Sequence, residues 1–150
     1  MNKWIQLSNT EKIEVIGGAA LMAGLPNVAI EKDWWVTMSL GALFSCQCAE
    51  HIVFKGGTSL SKAWNLIERF SEDIDIAIDR KFFGFDGELS RSQITKLRRV
   101  SCEYISTKLK EELDKKFQEA GIEGYFVFVR ETKDTTKDPQ SIEIQYTSIF

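Results

Sequence analysis

A glycine turn followed by two aspartates at alternate positions constrains this chain more than any other feature. Lys55-Gly56-Gly57-Thr58-Ser59 is followed, after a short interval, by Ser71-Glu72-Asp73-Ile74-Asp75-Ile76-Ala77-Ile78. Polar and apolar residues alternate from Asp73 to Ile76, with apolar residues at 74, 76 and 78, which is the period of a strand. Strand side chains alternate faces, so Asp73 and Asp75 point the same way, roughly 6–7 Å apart. A short apolar run over 51–54 reads as a first strand ending at the glycines. Leu60, Ala63, Trp64 and Ile67 recur at three- and four-residue steps, which predicts a helix over 58–67. Strand, turn, helix and returning strand bring the glycines and the carboxylates to one end of a sheet. Glycine lets backbone N–H groups approach a phosphate closely, with Gly57 the expected point of approach, and a helix start adds a favourable dipole. Two hard oxygen ligands on one face suit Mg²⁺, which is commonly shared with substrate phosphates. Gly-Gly alone is often only a tight turn, and polar strand faces are common. The combination points to a nucleotide site.

The rest of the chain supplies helices and further short strands. Ser8-Asn9-Thr10-Glu11 has the form of a capping box opening a helix that runs to Ala23 and stops at Gly24-Leu25-Pro26. A second helix is expected over 28–49, with Ile30, Trp34, Met38 and residues 40–43 on its apolar side. The aromatic segment 82–87 reads as a loop pinned to the core by its phenylalanines, or as a lid or base-stacking surface. A long helix is expected over 91–120, stopped by Gly121, followed by strands over 125–129 and 141–146 with a polar loop over 131–139 between them. This order gives an α/β (α+β) fold: a small mixed sheet, N-terminal helices and one long helix.

With 150 residues the chain suits a single domain, 1–150. Its net charge of −3 gives no strong general attraction to nucleic acid or anionic membrane. Cys46-x-Cys48 lacks the spacing of a zinc site, so Cys46, Cys48 and Cys102 read as reduced thiols of a cytoplasmic protein. No apolar run reaches the roughly 20 residues needed to span a bilayer, so no membrane partner is expected. His51, the one histidine, reads as structural. The run 108–116 reads as a solvated helix face. Lys96, Arg98 and Arg99, with Lys108, can alternatively form an RNA-contacting stripe.

With these residues in view, the chain resembles the AbiEii/AbiGii-type toxin nucleotidyltransferases of the polymerase-β-like nucleotidyltransferase superfamily. The resemblance is carried by Phe54-Lys55-Gly56-Gly57-Thr58-Ser59-Leu60, by Arg69-Phe70-Ser71-Glu72-Asp73-Ile74-Asp75, and by Ile30-Glu31-Lys32-Asp33-Trp34-Trp35-Val36. It is close over 28–80 and weaker beyond. It implies a nucleotidyltransferase-like fold and Mg²⁺-dependent transfer of a nucleotidyl group from an NTP to an acceptor, with RNA or tRNA suggested. It also implies a cognate antitoxin partner within a toxin–antitoxin pair. Asp73 and Asp75 would be catalytic and hold the metal. Lys55, Gly56, Gly57, Thr58, Ser59 and Arg69 would bind the nucleotide.

Several of these residues have structural alternatives. Lys55 can stand on the outer face of its strand, Arg69 can pair with Glu72 or Asp73, and Ser71 is expected to cap the turn before the strand. Glu31, Lys32 and Asp33 either line the pocket or form a buried ion pair. The superfamily's third carboxylate has one late candidate, Glu143, which is expected to be a solvent-facing strand residue instead. The chain is therefore expected to lack the family's C-terminal part. The competing reading is a non-catalytic nucleotide-binding or protein-interaction module.

Overall fold

The capping box at Ser8 forms as its spacing requires. The Ser8 N–H donates to Glu11 Oε2 at 2.8 Å, and the Glu11 N–H donates back to Ser8 Oγ at 3.3 Å. A computed structural model of the chain describes residues 2–67, 71–130 and 140–150. A short turn of helix, α1 (Asn2–Ile5), precedes the capped helix α2 (Asn9–Ala23). Gly24, at φ 65°, closes α2 in the left-handed conformation that favours glycine. The chain then bends by 104° into α3 (Asn27–Leu43). Among the described residues no single helix is long and apolar enough to cross a membrane.

Helix α3 ends at Leu43, not at residue 49 as expected. Cys46 and Cys48 are both buried, at 6% and 0% exposure. Past Leu43 the chain turns, and both thiols join the core. The Gln47 N–H is drawn to Glu112 Oε2 at 2.8 Å, which fixes that turn. Burial pushes the Cys46 thiol up to about 12, consistent with packing rather than reactivity.

Strands β1 (Ile52–Lys55) and β2 (Asp75–Ile78) pair antiparallel, with Ile52 opposite Ile78 and Lys55 opposite Asp75. Between them lie a helical turn, α4 (Gly56–Thr58), and a π-helical turn over Ser59–Ala63. The helix expected over 58–67 therefore ends at Ala63. Asn65 turns the backbone left-handed at φ 52°, a conformation Asn tolerates better than most residues. The expected apolar face is also reversed: Thr58 and Ser59 are buried, whereas Leu60 and Trp64 are exposed. Both hydroxyls find carbonyl partners inside, which makes their burial affordable.

After β2, a 3₁₀ turn over Arg80–Phe83 places Phe82 and Phe83 edge-on to Tyr104, at 4.9 and 5.7 Å between ring centroids. This is the loop pinned by its aromatics. Helix α5 (Arg91–Tyr104) passes through a π-helical turn over Ile105–Leu109 into α6 (Lys110–Glu119), much as the expected long helix. Strands β3 (Tyr125–Val129) and β4 (Ile142–Tyr146) form a second antiparallel pair. The α/β (α+β) class holds, but the described strands form two antiparallel pairs where one small mixed sheet was expected. The polar loop expected over 131–139 lies outside the described residues.

The core joins Met38 and Leu43 of α3 to Leu113 and Phe117 of α6, Leu109 before it and Val127 of β3. Ile74, Ile76 and Ile78 pack against this cluster. Trp35 stacks on Tyr146 at 4.6 Å and 18°, tying α3 to β4. Burial of the three isoleucines favours this face, so their alternation fixes which face of β2 turns outward.

Candidate functional site

With Ile74, Ile76 and Ile78 turned inward, Asp73, Asp75 and Ala77 are exposed. Residues opposite one another in a ladder share a face, so Lys55 stands beside Asp75 and Val53 beside Ala77. Lys55 is exposed and joins none of the ion pairs among the described residues.

The turn and the Asp75 carboxylate meet directly. Gly56 has φ 74°, and a β-carbon built on it would lie 2.1 Å from Asp75 Oδ2 and 3.0 Å from Asp75 Cβ. Only glycine fits both this backbone conformation and this neighbour. Gly56 is thus closely constrained, and Gly57 follows it in the same helical turn. The ladder register holds the missed signal: if Lys55 opposes Asp75, the residue after Lys55 passes beneath that carboxylate.

Thr58 joins the two halves of the site from below. It is fully buried, its hydroxyl bonds to the Asp73 carbonyl, and it lies 2.9 Å from Ser71 Oγ. The carbonyl can only accept, so the Thr58 proton goes there. Ser71 thus anchors the approach to the strand through Thr58. Ser59 Oγ donates to the Phe54 carbonyl at 3.2 Å, and the Ser59 N–H donates to Gly56 O. Both hydroxyls are turned inward, so Thr58 and Ser59 are fixed as parts of the frame. Asp73 lies just before β2, which begins at Asp75, and is held through its backbone carbonyl. Arg69 lies outside the described residues.

Glu31, Lys32 and Asp33 fan out to three different segments, because consecutive helix residues point about 100° apart. Glu31, 4% exposed, accepts from Ser148 Oγ at 2.6 Å and from the Ile149 N–H at 3.0 Å. Lys32 pairs with Glu72, next to Asp73. Asp33 pairs with Lys62 at 2.7 Å, and Lys62 also reaches Thr37 Oγ1 at 3.1 Å. These residues brace the site: the buried member is satisfied by a hydroxyl and an amide, and the two ion pairs are partly exposed. Burial, with Glu31 nearby, pushes the Tyr146 hydroxyl up.

Glu143 stands on the outer face of the other strand pair, opposite Phe128, and is paired with Arg130. Among the described residues no group of three or more His, Cys, Asp or Glu side chains is arranged to hold a metal ion. The donor set at the turn is two exposed carboxylates of hard oxygen, which fits a Mg²⁺ ion that keeps waters and shares substrate oxygens.

A glycine turn is thus locked beneath an acidic strand. The family model described as nucleotidyl transferase AbiEii toxin, type IV TA system, matches residues 40–150, and the chain belongs to this family. No curated protein and no solved structure matches it.

Proposed function

We propose that residues 1–150 form a single nucleotidyltransferase domain that binds an NTP with Mg²⁺ at the Gly56 turn and transfers a nucleotidyl group to an acceptor hydroxyl. The acceptor oxygen bonds to the α-phosphorus and pyrophosphate leaves. Asp73 and Asp75 hold the metal, which when bound supplies positive charge to the triphosphate. Lys55 and Arg69 neutralise phosphate charge, and the Gly56-Gly57 backbone lies against the phosphates, framed by Thr58 and Ser59. The acceptor is RNA, with tRNA the narrower choice. The family's type IV toxin–antitoxin character supports a cognate antitoxin as partner and action in the cytoplasm.

The observation that carries this reading is the placement of Asp75 Oδ2 over Gly56. Plain turns do not need a carboxylate packed onto the one position that tolerates no side chain. Calorimetry with Mg–NTP tests it. Asp73→Asn and Asp75→Asn should each weaken binding about tenfold or more, equivalent to about 1.4 kcal/mol. Glu143→Gln should leave binding unchanged. Equal affinity in wild type and both Asp variants would remove the assignment.

The pairing of Glu143 with Arg130 on the other strand pair favours a second reading, a nucleotide-binding module without transfer. Incubation with labelled NTP and total RNA separates the two. Labelling that disappears in Asp75→Asn supports transfer; NTP binding without labelling supports the module.

A further inference from the structure

We propose that the first half of α5, from Arg91 to Arg99, is a docking surface for the phosphate backbone of RNA. The choice of RNA rests on the nucleotidyl-transfer reading above; the choice of a phosphate polyanion rests on the helix itself. Arg91, Lys96, Arg98 and Arg99 fall between Glu88 and Glu103 with no acid among them, a local charge of +4 in a chain of net charge −3. All four are exposed, and none forms an ion pair among the described residues.

The continuation of the same helix provides the contrast. There Lys108 pairs with Glu111, and Lys115 and Lys116 pair with Glu119. Those charges form a neutralised, solvated face. The α5 cations keep their charge free for a ligand. Every residue over 91–96 is exposed, so this end of the helix projects into solvent, while its far end is held by Tyr104 against Phe82 and Phe83. Steps of 100° place the four cations within about 160° of the helix circumference, and they span about 12 Å of its length. Such a helix end can lie in a groove or between two stretches of backbone.

Among the described residues, neither the acids before the helix nor Glu103, one turn after Arg99, forms an ion pair with these cations. Glu88 is exposed in the preceding loop, and Asp86 lies 4.0 Å from Lys81. Arg80, on the 3₁₀ turn packed beneath α5, adds a further exposed cation.

Three of the four cations are arginines, whose planar fork binds phosphate oxygens in pairs. An acidic protein partner would need an apolar or aromatic anchor, and a membrane surface would need an apolar face. In this segment the one exposed large apolar side chain is Ile94, at 39%.

The test is fluorescence anisotropy of a labelled RNA hairpin bound by the intact chain across a salt series, without NTP. Each phosphate contact contributes about 0.9 to the slope of log affinity against log salt for duplex DNA, and a comparable amount here. Arg91→Ser, Lys96→Ser, Arg98→Ser and Arg99→Ser combined should reduce the slope by about 3, and Arg98→Ser alone by about 1. Lys108→Ser with Lys115→Ser, which removes paired lysines, should change it little. Mg–NTP affinity should be the same in all variants, which shows that the fold and the nucleotide site are intact. An unchanged salt slope in the fourfold variant overturns the proposal. So does displacement of RNA by polyglutamate of equal charge, which makes an acidic protein the occupant, or tighter binding of a DNA hairpin of the same sequence. Loss of NTP binding in wild type with the RNA slope intact would overturn the nucleotide site and not this surface.

Discussion

The two strand pairs of this chain are built alike and present opposite surfaces. Each is an antiparallel pair with one face on the common core. The outer face of β1–β2 carries Val53, Lys55, Asp75 and Ala77, and its connection begins with a left-handed glycine. The outer face of β3–β4 carries Phe126, Phe128, Glu143 and Gln145, with Phe126 74% exposed. A carboxylate on a strand is therefore not a site by itself. Asp75 is set against a turn that no side chain can enter, whereas Glu143 is tied to Arg130, just past the end of the neighbouring strand. The difference lies in what the connection brings under the carboxylate.

The strongest way to break this comparison uses two glycines with the same backbone angle. Gly56 and Gly124 both have φ 74°, one directly after β1 and the other just before β3. Alanine at either position should cost about 1–2 kcal/mol from the left-handed backbone alone. A β-carbon on Gly124 meets nothing within 4 Å, whereas one on Gly56 meets the Asp75 carboxylate at 2.1 Å. Gly56→Ala should therefore lose more stability than Gly124→Ala in urea titration, and it alone should lose Mg–NTP affinity, by about tenfold or more. Matching losses in both variants would show that the turn is only a turn.

A middle-sized effect should follow at Thr58. Valine keeps the shape but leaves the Asp73 carbonyl without its buried donor, at a cost of about 1–3 kcal/mol. The same change at Thr147, exposed beyond β4, should lie within about 0.5 kcal/mol of wild type. Denaturant midpoints measure both, and an inert Thr58→Val would remove Thr58 as the link between turn and strand.

The smallest effect separates the two outer ion pairs by pH. The hydrogen bond that Lys32 donates to Glu72, together with the Glu72 charge, holds Lys32 above its ordinary 10.5. Because the folded value is the higher one, this stabilisation is complete below pH 10.5 and is lost as pH rises through the folded value. Lys32→Met should therefore lower the melting temperature slightly at neutral pH, and the gap from wild type should close in strong alkali. Arg130 stays charged throughout, so the gap for Arg130→Met should not close through its own titration. A Lys32→Met gap that widens with pH would contradict the assigned pairing.

Much of this was legible along the chain. The capping box at Ser8, the stop at Gly24, the long helix closed by Gly121 and the alternation of Asp73 to Ile78 are local signals. Each depends on residues within four positions of one another, so it survives without knowledge of the fold. The early end of α3 was not legible, because it depends on Glu112, sixty-five residues away, capturing the Gln47 N–H. The reversed face of the helix after Gly56 was equally hidden. Its apolar period is real, but Thr58 and Ser59 found partners at Asp73 and Phe54, and the short element turned to bury them.

The sequence by itself determined which residue types occupy the site and which way the aspartates face, because strand alternation and the apolar isoleucines leave one choice. Tertiary structure alone decided that Gly56 is constrained, since that depends on the register pairing Lys55 with Asp75. It also decided the parts of Glu31, Lys32 and Asp33, whose partners at Ser148, Glu72 and Lys62 come from three separate segments. Spacing along a chain sets the direction of a side chain, but its partner is set by whichever distant backbone the packing brings opposite.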